Sequence, residues 1–239
     1  MNQLVKSNKP IVLTPTQGKE YWEEDIVRET VMRDQGKKCM FCEFTRNGAG
    51  RIMEHFRPKG RVDIISPNGL VTQHHPGYHW LRNDWDNLAY ACAECNSSYK
   101  RCFFPLINEQ NRASAAIDIT RQTSADKDIT NEEPLILNAY HDVLDNHLKF
   151  RRWEAVPVTD QNGNVSMKGD YTIRLFHLND RPELVEQRKE VWSSWEVLKL
   201  ALELANMVGD ASKIGAINRS ISLGLQPNAL FLGMKLRQI

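Results

Sequence analysis

The apolar positions change period several times along the chain, and each change predicts an element. Over residues 14–38, Tyr21, Trp22, Ile26, Val27, Thr30 and Val31 recur at helical spacing, with acids early and Gly36 and two lysines at the close. That pattern predicts a helix. RIMEHF (51–56) predicts a short strand, ended by Pro58, Lys59 and Gly60, and NLAYAC (87–92) predicts a second. ECNSSYKRCFF (94–104) suits a helix of about two turns stopped by Pro105. The stretch between the strands, 60–86, is long, aromatic and histidine-rich, and is predicted as a loop of functional length.

Further on, residues 108–131 are polar and aperiodic, which predicts a loop or linker, and PLILNAY (134–140) reads as buried. HLKFRRWEAVPV and VSMKG flank DQNG, predicting two strands around a turn. From Asp180 the chain is predicted helical, with Asp180 and Glu183 as a capping box and Leu184, Val191, Trp195, Leu198 and Leu202 as one apolar face. A second helix is predicted over 211–222, and there is no internal repeat. The class expected is α+β, divided into an N-terminal unit, 1–107, and a mainly helical accessory region with a β-hairpin, 108–239.

Composition changes this picture little. A chain of 239 residues can bury a sizeable core. Its 41% hydrophobic and 26% charged residues are those of a soluble globular protein. No apolar run approaches the roughly 18 residues of a membrane span. The N-terminus has no long apolar region with a small-residue cleavage site, so the expected location is cytoplasmic. The net charge of +1 is not that of a strong nucleic-acid binder. Residues 37–101, however, carry ten Lys/Arg against six Asp/Glu, a modest basic segment.

The cysteines change it more. Four of the five form two C-x-x-C pairs, Cys39 with Cys42 and Cys92 with Cys95, separated by 49 residues. In a cytosolic chain such pairs favour a tetrahedral zinc site. A redox pair needs only one of them, and neither sits in a βαβ pattern. A site of four thiolates is closed and leaves no open position for chemistry, so this zinc is scaffolding. Cys102 is left over and is expected in the core.

What the scaffold holds is suggested by the residues beside it. Glu54 and His55 end the first predicted strand, Asn87 begins the second, and Asn96 follows Cys95. If the strands pair and the helix crosses them, Glu54, His55 and Asn96 converge. A carboxylate and an amide oxygen are donors for a hard cation such as Mg²⁺ or Mn²⁺. An imidazole can take a proton from an attacking water. Arg57, Lys59 and Lys100 can hold neighbouring phosphates, and Asn87 can hydrogen-bond the loop that orients His55. The chemistry that fits is phosphodiester hydrolysis.

MEHFRPK, WDNL and CAECNSSYK between two cysteine knuckles resemble the HNH endonuclease family, with its ββα-metal fold. The resemblance implies His55 as general base, Asn87 as the middle Asn, and Glu54 and Asn96 as ligands of the catalytic metal. The Glu at the acidic position and the long 60–86 insert depart from the family pattern. EHFRPK, PGYHWLRNDWDNL, CAECN, EEPLILNAY and LNDRPELVEQR extend the likeness to the Septu-type and retron-associated HNH subunits of bacterial anti-phage systems. That resemblance implies a nucleic-acid substrate, DNA foremost, and a larger ATPase subunit as partner. The blander expectations are that Trp80 and Trp85 pack the insert onto the core, that His74, His75 and His79 lie on an exposed loop, and that Trp192 and Trp195 are core or interface. The competing functional reading is a zinc-stabilised module that binds nucleic acid or protein without cutting it.

Overall fold

The computed structural model describes residues 4, 6–12, 16–45, 51–65, 71–113, 129–226, 229, 231–236 and 238. Its helices and strands run α1 (Asp25–Asp34), β1 (Arg51–His55), β2 (Val62–Ile65), β3 (Val71–His75), β4 (Leu88–Cys92), a π-helix (Glu94–Lys100), β5 (Leu148–Arg151), β6 (Glu154–Pro157), α2 (Met167–Leu175), α3 (Pro182–Val208), α4 (Ala211–Gly224) and α5 (Leu232–Leu236). Helices and three separate two-stranded sheets make an α+β architecture.

The pair β1–β4 is antiparallel, with Glu54 opposite Ala89 and His55 opposite Leu88. All of β4 is buried, because α1 covers the face that carries Leu88 and Tyr90 while Ala89, Ala91 and Cys92 enter the main core. Val27 and Val31 of α1 pack with Met53, Trp85, Leu88 and Tyr90 in a small core. Gln35 fastens the end of α1 to the strand. Its amide donates to the Tyr90 carbonyl at 2.9 Å and accepts from the Tyr90 N–H at 2.7 Å. The helix starts later than its apolar pattern suggests, at Asp25. The Glu24 carboxylate accepts from the Thr16 N–H at 2.6 Å, and Tyr21–Glu23 form a separate 3₁₀ turn.

The predicted 60–86 loop is a folded insert. It contains the hairpin β2–β3 and 3₁₀ turns at His79–Leu81 and Trp85–Asn87. The hairpin docks through Asp63, whose N–H donates to the Cys102 carbonyl at 2.9 Å. Gly77 (φ 91°) is where the insert turns back. A Cβ there would stand 2.6 Å from the Arg61 nitrogen, so only glycine permits the approach. Tyr78, Trp80 and Leu81 then enter the main core with Phe56 and Phe104. Of the three histidines, His74 bonds Asp63 and His75 bonds the Ala113 carbonyl, each at 2.9 Å.

In the C-terminal half the hairpin lies earlier than predicted. Its strands are β5 and β6, and Arg152 (φ 58°) makes the turn. DQNG does turn the chain, but between the single bridge Thr159–Val165. The predicted second strand is instead the start of α2, where Ser166 caps the Gly169 N–H. Gly169 allows α2 to lie on the His147 carbonyl, 1.9 Å from where a Cβ would be. Helix α3 begins with Arg181 as its cap and Pro182 in its first turn, not with an Asp180 box. Its buried side carries Leu184, Arg188, Trp192, Trp195 and Ala205. Val197, Leu200, Leu204, Met207 and Val208 are exposed on the opposite side. Cys102 is half-buried rather than core. The predicted linker 108–131 falls mostly outside the described residues; 109–111 form a 3₁₀ turn. Among the described residues no helix is long and apolar enough to cross a membrane.

Candidate functional site

Cys39, Cys42, Cys92 and Cys95 are all buried, and their sulfurs lie within 4.8 Å of one another. Cys42 and Cys92 are 3.9 Å apart. Four sulfurs at about 2.3 Å from a tetrahedral zinc stand roughly 3.8 Å from each other, so the cluster can hold a zinc ion. Cys92 ends β4 and Cys95 lies in the π-helix, so both elements are anchored at the knuckle. The Arg181 guanidinium donates to the Cys95 sulfur at 3.4 Å and to Glu94 at 3.2 Å. The thiolates in turn push its pKa upward against the cost of burial.

Glu54 and His55 are consecutive on a pleated strand, so their side chains leave it on opposite faces. Glu54 is 5% exposed and faces the π-helix, where the Lys100 ammonium, 1% exposed, sits against its Oε1 as an ion pair. Oε1 has no well-angled hydrogen bond. Burial raises the Glu54 pKa, and Lys100 opposes that rise. Lys100 also donates to the His55 carbonyl at 3.1 Å. It is therefore an internal counter-ion joining helix to strand, and the expectation that it presents a cation to phosphate is corrected. Asn96 is half-buried, one turn before Lys100 on the same face of the π-helix.

His55 faces the other way, toward the N-terminal 3₁₀ turn. The Trp22 ring meets it edge-on at 5.2 Å and 80°. Its Nε2 is 2.9 Å from the Arg82 carbonyl. A carbonyl only accepts, so the proton belongs on Nε2 and the Nδ1 lone pair is the basic one. Burial lowers the His55 pKa to about 4, further lowered by Lys59 and Lys100 and only partly restored by that carbonyl. Lys59 is half-buried, with its ammonium 3.5 Å above the Trp22 ring.

Asn87 binds the turn after His55 from both ends. Its Oδ1 accepts from the Arg57 N–H at 2.7 Å, and its amide donates to the carbonyls of Arg57 and Leu81 at 3.0 and 3.1 Å. The Arg57 side chain is not a free cation. It donates to the fully buried Glu132 carboxylate at 2.9 Å and stacks near Tyr78 and Phe104. Glu132 also accepts from the Tyr78 hydroxyl and the Ala113 N–H, both at 2.8 Å. This corrects the assignment of Arg57 to phosphate. Sequence reasoning also missed Trp22, Arg82 and Glu132. Each reaches the site from far along the chain, and no local pattern announces such contacts.

No family model matches this sequence, and no solved structure matches it. Two curated proteins of Bacillus mycoides (strain KBAB4) do. The chain is similar to Septu protein PtuB. The two are 32% identical over 184 residues, which are 77% of this chain and 56% of PtuB. Septu protein PtuA is 25% identical over 183 residues, 75% of this chain and 22% of PtuA. The chain therefore spans about half the length of PtuB and about a fifth of PtuA. This similarity supports a relationship to Septu proteins.

Proposed function

We propose that this protein is a metal-dependent endonuclease of a Septu-type anti-phage system, hydrolysing phosphodiester bonds in nucleic acid, DNA foremost. One observation carries the reading. An imidazole with its proton fixed on Nε2 ends a strand whose opposite face carries a buried carboxylate against a thiolate-anchored helix. His55 takes the proton of the attacking water at Nδ1. Asn87 keeps the 55–57 turn in place through three hydrogen bonds. Glu54 and Asn96 offer the oxygen donors that suit Mg²⁺ or Mn²⁺, and such an ion supplies charge neutralisation to the phosphate. The likeness to PtuB and PtuA supports a partner protein; the larger ATPase subunit implied by the sequence resemblance is the partner proposed, which co-expression and co-purification would test.

A non-cleaving, zinc-stabilised binding module is the second reading, favoured by one specific contact: Lys100 already neutralises Glu54. Plasmid cleavage with Mg²⁺ and with Mn²⁺, beside His55→Ala and with zinc content measured on both proteins, separates the two. Metal-dependent nicking or linearisation lost in His55→Ala supports the nuclease. Cleavage at the wild-type rate in a clean His55→Ala preparation rules out His55 as the base. No cleavage, with zinc bound and the ATPase subunit supplied, favours the binding module.

A further inference from the structure

We infer that Arg82 and Lys59 form an anion subsite beside His55 for a phosphate of the bound strand, and that Glu20 occupies it here in the phosphate's place. The inference takes only the nature of the anion from the nuclease reading. Four observations converge on it. Arg82 is tied to His55 through its own carbonyl, so its backbone stands beside the imidazole. That guanidinium is half-exposed, and its partner is the Glu20 carboxylate, Nε to Oε2 at 3.7 Å. Lys59, on the turn that follows His55, feels the same carboxylate and that of Glu23, and feels Arg82 as a like charge. The Lys59 ammonium lies 3.5 Å above the Trp22 ring that meets His55 edge-on, so Lys59 and the Arg82–Glu20 pair both border the imidazole and mark a place for a shared anion.

The carboxylate now in that place is held by ordinary surface contacts. Glu20 is 42% exposed; besides Arg82 it meets the Asn83 amide at a long 3.4 Å and the Glu23 N–H in a capping box. Such a half-exposed ion pair is weak, about 0–1 kcal/mol. A phosphodiester offers two oxygens to the same pair of cations and can displace it. Of the other cations near His55, Arg57 is committed to Glu132 and Lys100 to Glu54. Glu20 belongs to the 3₁₀ turn that carries Trp22, so one short segment both covers the imidazole and fills the subsite.

The test is binding of a fluorescein-labelled DNA duplex, and of RNA of the same sequence, to the full chain in divalent-free buffer, so that hydrolysis plays no part. Glu20→Gln keeps the hydrogen bond and removes the charge. It is expected to bind either probe about fivefold to tenfold more tightly than wild type. Its salt dependence should steepen by about one phosphate contact. Arg82→Gln in the Glu20→Gln background should abolish the gain. Glu186→Gln, a charge-matched change on α3, should leave affinity within about twofold of wild type. Equal binding by wild type and Glu20→Gln overturns the inference. So does a gain that survives Arg82→Gln, an equal gain from Glu186→Gln, or no binding by any variant. Cleavage without the binding gain removes the subsite and keeps the nuclease; the gain without cleavage does the reverse.

Discussion

The site sits on strands of five residues and a helix of seven, whereas α3 alone runs for 27. Short elements cannot bury enough apolar surface to hold themselves in register. Around β1, β4 and the π-helix a small apolar core is joined by many polar contacts: four thiols, the Glu54–Lys100 pair, Gln35 on the strand edge, and Asn87 on the 55–57 turn. Along α3 it is done by Leu184, Trp192 and Trp195, while the outward side of its C-terminal half is apolar and exposed. Polar holding fixes a few atoms closely and fails abruptly when one partner goes. Apolar holding tolerates change but positions loosely.

The largest test of that contrast is loss of the knuckle. Cys92→Ser, or removal of zinc by a strong chelator, should strip hydrogen-exchange protection from β1, β4 and the π-helix while α3 and α4 keep most of theirs. Structural zinc contributes on the order of 10 kcal/mol to small zinc domains. Simultaneous loss along α3–α4 would show that the helical region also depends on the knuckle.

Next is Lys100→Met, which leaves a buried carboxylate without its counter-ion. Chemical denaturation should show a loss of about 3–5 kcal/mol. Adding Glu54→Gln should recover a good part of it, and a simply additive double mutant would mean the pair is not coupled.

The third is a pH test on the other face of β1. His55 titrates at about 4 in the folded protein against 6.5 for an ordinary histidine. The folded state therefore binds fewer protons between those values. This contribution to stability is complete above about pH 6.5 and is lost as the pH falls toward 4. Its size is about 3 kcal/mol. Wild type should lose that much more stability than His55→Gln over this interval, and parallel curves would mean His55 is not desolvated in solution.

The smallest effect is expected on the outward side of α3. Leu204→Lys should change stability by no more than about 0.5 kcal/mol by thermal or chemical unfolding. A large loss would place this face in contact with something in the folded state.

The same contrast explains what was legible in the sequence. The cysteine spacing, both site strands and the two long helices carry local patterns, and each was readable. The β2–β3 hairpin was not, because histidines and charges break the alternation that marks a strand. Lys100 and Arg57 were misassigned for a different reason. A lysine or arginine near a candidate active site looks the same in sequence whether it meets phosphate or a buried carboxylate. Only the fold brings Glu132, 75 residues away, to Arg57. The start of α3 was misplaced because Pro182 in the first turn serves as well as a side-chain cap.

The width of the π-helix acts as a phase setting. Five positions separate Cys95 from Lys100. On an α-helix five steps leave two side chains about 140° apart. With the wider i→i+5 turn the same five steps bring them back toward one side. A thiol that faces the knuckle and an ammonium that faces β1 can thus share one short helix. Removing a single serine, Ser97 or Ser98, would leave four steps, which the narrower α-pitch closes to within about 40°, so the ammonium should stay aligned with Glu54 on an ordinary helix; holding all five steps at α-pitch would swing it away.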